Sequence, residues 1–278
     1  MINLFHEVSQ ECSRITTEKY STSFSSSIRL LHKDMRTPIF NIYGFVRFAD
    51  EIVDTFHDYN KDELLQEFRA AAYRAIDHKI SINPILHSFQ LTFHKYGIDI
   101  QLLDAFFRSM EMDLDKHHYD RSGYDEYIYG SAEVVGLMCL FVFCEGDLNS
   151  YEHLKPYARS LGAAFQKVNF LRDLKADFEG LNRVYFPECD FNNFTEADKR
   201  NIEADIQNDF DHALKGILQL PIKARFGVYV AYKYYLSLFN KIKKLAPQNI
   251  MDERIRIPDY GKIYILAKAG IRSTLNIF

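Results

Sequence analysis

The chain has 278 residues and a formal net charge of −4, with 34 Lys and Arg against 38 Asp and Glu. Average usage would give about 19 Gly and about 14 Pro at this length, whereas the chain has 12 Gly and 7 Pro, which argues against turn-rich β architectures. Aromatic residues make up 15%, which excludes a disordered chain and indicates wide apolar surfaces. The negative net charge gives nucleic acid no general attraction, so any anionic ligand needs a local binding device.

Apolar residues recur at helical spacing along almost the whole chain, which predicts an all-α protein. Thr37 and Pro38 have the residue types of an N-cap and a first helical position, so we predict a helix from there to about Phe56. Asn60 is predicted to cap the next helix, and Gly97 to end a later one. Further helices are predicted near residues 61–79, 83–96, 99–116, 124–144, 150–179, 195–219, 222–245 and 259–275.

No linker or change of composition divides the chain, so residues 1–278 are predicted to form a single domain. The first residues, MINLFHEVSQE, lack the basic and apolar regions of a secretory signal. The longest apolar stretch, near Gly136–Cys144, is about half of the roughly 20 residues that a membrane helix needs. We therefore expect a cytoplasmic protein.

The first informative helix carries polar residues at a regular spacing on an otherwise apolar sequence. At about 100° per residue, Tyr43, Arg47, Asp50 and Asp54 fall within an arc of about 60°. Two carboxylates four residues apart on a helix repel each other. A divalent cation between them would turn this repulsion into attraction, whereas the alternative is a solvated acidic face that continues through Asp58.

A second helix repeats the pattern and favours the metal interpretation. Gln166, Asn169, Asp173 and Asp177 fall within an arc of about 80°, with Arg172 to one side. Carboxylate and amide oxygens suit Mg²⁺, which commonly bridges carboxylates to substrate phosphates. Two such faces opposite each other would hold a diphosphate between metal ions.

These two segments, Asp50–Asp54 and Asn169–Asp177, resemble the two aspartate-rich motifs of the squalene/phytoene synthase family and occur in the same order. The resemblance extends over most of the chain. It includes Ser21–Phe24, Ser109–Asp115, Tyr127–Gly136 and the segments around Tyr235 and Arg254.

The resemblance implies a single-domain helical bundle of the isoprenoid-synthase type with a central cavity. It implies Mg²⁺, with Mn²⁺ as an alternative ion, bound by Asp50, Asp54, Asn169, Asp173 and Asp177. The positions that match diphosphate-binding groups are Ser21, Arg47, Gln166, Arg172, Arg183, Arg254 and Lys262. Those that match cavity residues are Tyr43, Tyr127 and Tyr235. The four aspartates and Tyr235 are expected to be catalytic, with Tyr235 or released diphosphate accepting the final proton.

One position departs from the family pattern. The chain has Glu133 where the family usually has Gly in its Tyr-x-Tyr-x-x-Ala-Gly segment. In a regular α-helix, Glu133 would lie about 120° from the face shared by Tyr127, Ser131 and Val134. We interpret it as pointing away from the cavity; an inward orientation would alter substrate specificity.

The activity implied is head-to-head condensation of two geranylgeranyl diphosphate molecules to phytoene, through a cyclopropylcarbinyl diphosphate, in carotenoid biosynthesis. The alternative within the family is squalene or dehydrosqualene synthesis from farnesyl diphosphate, and squalene formation would add NADPH. No GxGxxG dinucleotide signature is present. A non-catalytic helical scaffold is a remote alternative. Prenyl diphosphates are the expected partners, with transient membrane contact for release of an insoluble product and no nucleic acid.

Overall fold

The computed structural model of the protein describes residues 2–115, 119–175, 185–187, 189 and 194–250. The regular elements over these residues are helical. They are α1 (Ile2–Tyr20), α2 (Thr22–Ile28), α3 (Lys33–Thr55), α4 (Lys61–His78), α5 (Pro84–Tyr96), α6 (Ile100–Asp115), α7 (Arg121–Ile128), one turn of π-helix that we call the π-turn (Tyr129–Glu133), α8 (Val134–Phe143), α9 (Leu148–Lys175), α10 (Glu196–Ile217), α11 (Ile222–Ile242) and α12 (Pro247–Ile250). The predicted all-α class is confirmed, whereas the helix predicted over 259–275 lies outside the described residues.

Local side-chain chemistry explains several helix ends. The side chain of Asn60 accepts a hydrogen bond from the backbone N–H of Glu63 and caps α4, as predicted. Asn83 caps α5 in the same way, with Pro84 at the first helical position. Gly97 ends α5 in the left-handed conformation at φ 64°, which glycine adopts without steric cost.

The predicted start of α3, at Pro38, is wrong by five residues. The helix begins at Lys33, so Pro38 lies inside it rather than at its first position. The extra turn forms because Met35 is buried in the core and its backbone N–H donates to the carbonyl oxygen of His32 at 2.9 Å. Arg36 Nε also donates to the carbonyl of Leu31 at 2.9 Å, which satisfies the segment just before the helix.

Helix α1 was not predicted because its pattern of polarity is inverted. Its buried face is formed by Ser9, Ser13 and Thr17. Ser13 Oγ lies 2.6 Å from Ser88 Oγ on α5, and a Cβ on Gly44 of α3 would lie 2.9 Å from the Ser13 side chain. Small hydroxyl side chains therefore let α1 approach α3 and α5 closely. Such a contact produces no periodic pattern of apolar residues in the sequence.

Helices α3 and α9 are held apart by α8, which packs against both. Helix α11 packs on α2 and α9, and α2 packs on α3, so the ring of helices closes on the other side. The space enclosed by this ring contains the site described below. The two helices with the polar faces, α3 and α9, thus lie on opposite walls of one cavity.

The stretch Arg121–Phe143, which comprises α7, the π-turn and α8, is long and apolar enough to cross a membrane by length and composition. However, 56% of its most apolar 18-residue segment is buried inside the protein, as in core helices of soluble proteins. This stretch is therefore weak evidence for a membrane span.

Candidate active site

A cavity of about 450 Å³ lies within the ring of helices, a size typical of ligand-binding sites. Its polar lining consists mainly of Ser21, Tyr43, Arg47, Asp50, Ser131, Gln166, Asn169, Arg172 and Tyr235. Each of these groups contacts another of them or interacts with it through its charge, and we call them the polar end. The rest of the lining is mostly apolar, and we call it the apolar end. It includes small residues at Ala132, Gly136, Ala158, Gly162, Ala213, Gly216, Gly227 and Ala231.

Helix α3 presents Tyr43, Arg47 and Asp50 to the cavity at successive turns. Arg47 Nη1 lies 4.0 Å from Asp50 Oδ2, and Nη2 donates to Glu51. Burial raises the pKa of Asp50 to about 7, and the negative charge of Asp54 adds to this rise. Asp54 itself is exposed and does not line the cavity. The two carboxylates therefore repel each other where α3 reaches the polar end, and a bound cation would relieve that repulsion.

Helix α9 presents a directed series of hydrogen bonds from the opposite wall. Ser131 Oγ donates to the carbonyl of Tyr127 at 2.8 Å and accepts from Gln166 Nε2 at 3.3 Å. Asn169 Nδ2 in turn donates to Gln166 Oε1 at 3.4 Å. This series fixes the orientation of the Asn169 amide. Its Oδ1 is buried, and no donor among the described residues reaches it.

Arg172 and Asp173 follow on the same helix and pair with each other. Arg172 Nε lies 3.0 Å from Asp173 Oδ1 and 3.1 Å from Oδ2. Arg172 lines the cavity, whereas Asp173 does not. Arg172 thus both pairs with Asp173 and lines the cavity, as expected of a group that can exchange a carboxylate for a phosphate.

Aromatic rings surround the polar end. Phe24 packs against Tyr43 and Tyr235 with ring centroids 5.5 and 5.9 Å apart, and Phe165 stacks on Tyr235 at 3.9 Å. Burial raises the pKa of Tyr43 to about 12, although its hydrogen bond with Ser21 acts in the opposite direction. Burial also raises the pKa of Tyr235, opposed by the positive charge of Arg172 and a hydrogen bond with Asn169. Both hydroxyls therefore stay protonated at neutral pH.

The polar end can hold a hard cation. The carboxylate of Asp50 and the unpaired Oδ1 of Asn169 are oxygen ligands of the kind that Mg²⁺ prefers. Over the described part of the chain, no three acidic, His or Cys side chains converge into a preformed metal cluster. Any metal ion here would therefore depend on additional oxygen ligands, such as those of a bound diphosphate.

The chain as a whole, compared with known protein families, identifies the family. The model of the family described as squalene/phytoene synthase matches residues 17–260. The chain belongs to the squalene/phytoene synthase family. As a member of this family it is a prenyltransferase of the head-to-head type, acting on prenyl diphosphates.

Individual family members give the same relationship. A phytoene synthase from Arthrospira platensis is 28% identical over 293 residues, which cover 95% of this chain and 93% of the relative. A presqualene diphosphate synthase from Rhodopseudomonas palustris is 30% identical over 174 residues, covering 60% of this chain and 58% of the relative. A crystal structure of a dehydrosqualene synthase in complex with ligand superposes with a TM-score of 0.83 at 19% identity and covers 98% of both chains. The last likeness shows the squalene/phytoene synthase fold.

Tyr127, expected from the family resemblance to line the cavity, lies outside the cavity described here. Its hydroxyl donates to Asp113 Oδ2 at 2.9 Å, and its ring packs among Tyr119, Phe170 and Tyr185. Burial raises its pKa well above the ordinary value. In this structure Tyr127 packs behind Ser131 in the cavity wall and does not reach the space where a ligand would bind.

Glu133, the departure from the family pattern, points away from the cavity. Arg159 Nε donates to Glu133 Oε2 at 2.5 Å, and the same guanidinium lies over the Tyr129 ring at 5.2 Å. These contacts agree with the interpretation that Glu133 points away from the cavity. Residues Tyr129–Glu133 form a π-turn, and Ser131 lines the cavity while Tyr127 and Val134 do not.

Four residues matched to the family's site fall outside the described part of the chain: Asp177, Arg183, Arg254 and Lys262. Their roles stay predictions. The structure brings together the others that line the polar end and leaves Asp54, Asp173 and Tyr127 off the cavity lining.

Three aromatic residues of the site were not predicted: Tyr20, Phe24 and Phe165. Phe24 belongs to the Ser-x-Ser-Phe segment, and Phe165 directly precedes Gln166, so proximity to matched segments was the available signal. Tyr20 directly precedes Ser21 and stacks on Arg47. Its position in the sequence gave no indication of this contact.

Proposed function

We propose that the protein condenses two molecules of geranylgeranyl diphosphate head to head to phytoene in carotenoid biosynthesis. The observation that carries this proposal is the contrast within one cavity. Arginine and oxygen-ligand side chains meet at the polar end, and small and aliphatic residues continue from it. Small residues leave room for long prenyl tails, which favours the C20 substrate over the C15 one.

The similarity to the Arthrospira platensis phytoene synthase over 95% of this chain supports the same product. The relationship to a presqualene diphosphate synthase supports the alternative, condensation of farnesyl diphosphate to a C30 product. Chain length therefore separates the two candidates.

We propose Mg²⁺ as the metal, with Asp50 and Asn169 among its ligands and with Asp54, Asp173 and Asp177 completing the set. Bound there, Mg²⁺ would neutralise the diphosphate and assist its departure as a Lewis acid. The raised pKa of Asp50 and the unpaired Asn169 Oδ1 support this choice, because each is a group whose environment favours a cation.

The protein's own groups act on the leaving group and on the cation that remains. Arg47 and Arg172 are permanently charged donors that can bind phosphate oxygens in bidentate fashion as diphosphate departs. The rings of Phe24, Phe165 and Tyr235 offer negative faces to an allylic cation and exclude water from it. No protein nucleophile is needed.

The proposed condensation has two bond-forming stages. The C2–C3 double bond of the second substrate attacks C1 of the first cation, and loss of a proton closes a cyclopropane that still carries one diphosphate. Loss of that diphosphate and rearrangement join the two C1 carbons, and loss of a further proton gives phytoene. We propose released diphosphate as the proton acceptor, because burial keeps the Tyr235 hydroxyl protonated and hence a weak base.

The test is incubation of the purified protein with Mg²⁺ and either C15 or C20 diphosphate, with and without NADPH, followed by mass analysis of the hydrocarbon. We expect a C40 hydrocarbon from the C20 substrate, independent of NADPH. Exclusive conversion of the C15 substrate would replace phytoene with a C30 product. Absence of diphosphate release from either substrate by folded protein would contradict the whole proposal.

A further inference from the structure

Tyr20 contacts the cavity from the last position of α1 and lies beside its polar end. Its side chain lines the cavity although half of its surface is exposed. The ring lies over the guanidinium of Arg47, with Arg47 Cζ 4.5 Å from the ring centroid. A tyrosine with half of its surface exposed gains little stability from burial. The stacked guanidinium, however, is attracted by the negative face of the ring.

The hydrogen bonds of Arg47 leave part of its donor capacity unused. Nη2 donates to Glu51, whereas Nη1 lies 4.0 Å from Asp50, which is too far for a hydrogen bond. Nε is buried and meets no acceptor among the described residues. The edge that carries Nη1 therefore still has donors to offer, and Asp50 and Glu51 both lie close enough to compete for them.

Stacking constrains a guanidinium without consuming any of its donors, because all of its N–H groups point outward in the plane of the group. A ring on one face therefore fixes that plane. We propose that Tyr20 is a positioning residue for the diphosphate: it holds Arg47 so that its free edge stays available to phosphate oxygens, instead of turning fully to Asp50 and Glu51. This inference rests on the proposed function, since it takes a prenyl diphosphate as the ligand of Arg47.

The experiment compares Tyr20→Leu with Tyr20→Phe and with Tyr59→Leu, a matched control at a tyrosine that is 70% exposed and does not line the cavity. Binding of inorganic diphosphate with Mg²⁺ is measured by calorimetry, alongside KM and kcat for the C20 substrate. A cation–π contact of about 0.5–2 kcal/mol corresponds to about a twofold to thirtyfold change in affinity. We expect Tyr20→Leu to weaken diphosphate binding and raise KM within this range with kcat changed less, and Tyr20→Phe to restore both.

A double-mutant cycle shows whether the effect passes through Arg47. In an Arg47→Met background, Tyr20→Leu should cause no further loss of diphosphate affinity. Equal losses in both backgrounds, or wild-type affinity in Tyr20→Leu, would overturn the inference while leaving the proposed function intact. If the wild-type protein neither binds diphosphate nor turns over prenyl diphosphates, the proposed function fails first and this inference fails with it. Thermal unfolding of each variant confirms that it is folded.

Discussion

The two ends of the cavity are built by different means. At the polar end, side chains are held by bonds that a ligand can replace: Arg47 with Glu51, and Arg172 with Asp173. At the apolar end, helices approach so closely at Gly216 that a methyl group there would overlap Tyr157. Order at the first end depends on exchangeable polar contacts, and order at the second on steric fit. Substitutions at the polar end should therefore change rate, and those at the apolar end should change substrate length or stability.

The largest expected effect is at the polar end. Asp50→Asn should lower kcat by about a hundredfold to a thousandfold, because it removes a charged oxygen ligand from the site where the diphosphate departs. Thermal stability should not fall, since the substitution removes a carboxylate whose charge is disfavoured by burial and by Asp54. Steady-state kinetics and thermal unfolding check both parts. Normal turnover in this variant would contradict the proposed role of Asp50.

The apolar end should control chain length. Ile28 is buried and lines the cavity, so Ile28→Phe should obstruct a long tail more than a short one. We expect about a tenfold or greater fall in kcat/KM for the C20 diphosphate relative to the C15 one. A competition assay with both substrates measures the ratio. Ile222→Phe, at a residue 84% exposed, is the matched control and should leave it unchanged. An unchanged ratio in Ile28→Phe would show that tails do not reach this part of the cavity.

Steric fit at the apolar end predicts a loss of stability. Gly216→Ala should destabilise the protein by about 1–3 kcal/mol, because overlap with the Tyr157 side chain outweighs the gain in helix propensity. Gly136→Ala is the comparison, since its methyl group would lie 3.1 Å from the carbonyl oxygen of Ala158. Denaturant unfolding should show a smaller loss for Gly136→Ala. Equal stability of wild type and Gly216→Ala would mean that the apolar end adapts easily.

The smallest effect is expected outside the cavity wall. Glu133→Gln should keep the ratio of C20 to C15 turnover within twofold of wild type, because the side chain pairs with Arg159 and points away from the cavity. Loss of that ion pair, in which the Arg159 side chain is 48% exposed and that of Glu133 13%, should cost about 0.2–1 kcal/mol of stability. The same competition and unfolding assays apply. A shifted product ratio would show that the outer face of the π-turn controls the cavity.

The polar faces of α3 and α9 were predictable because a helical repeat of charged residues on apolar sequence is visible without coordinates. Residues such as Arg47 and Asn169 were placed on their helices by spacing alone, and the structure puts both on the cavity. The orientation of the Asn169 amide was not predictable. It depends on the hydrogen bonds from Gln166 to Ser131, which join residues distant in sequence.

Helix α1 and the π-turn show why the rest was missed. In α1 the apolar side chains Leu4 and Val8 are exposed, while Ser13 is buried, so the usual rule assigns the wrong face. Across the π-turn, the face expected for the cavity contained Tyr127 and therefore Val134, whereas the structure lines the cavity with Ser131, Val135 and Cys139. In both segments the spacing of residues is helical, but spacing alone does not show which helix face turns inward.

The π-turn lets this segment contain one residue more than a regular helix of the same rotation. Helix α7, before the turn, is tied by the Tyr127 hydroxyl to Asp113, and α8, after it, places Gly136 against Ala158. Because a π-helix turns less per residue than an α-helix, the five residues Tyr129–Glu133 rotate the chain by about as much as four α-helical residues. Deleting one of them would therefore rewind the turn to a regular helix and keep both contacts in phase. The same deletion within α8 would rotate the residues after it by about 100° and turn the cavity wall away from the site.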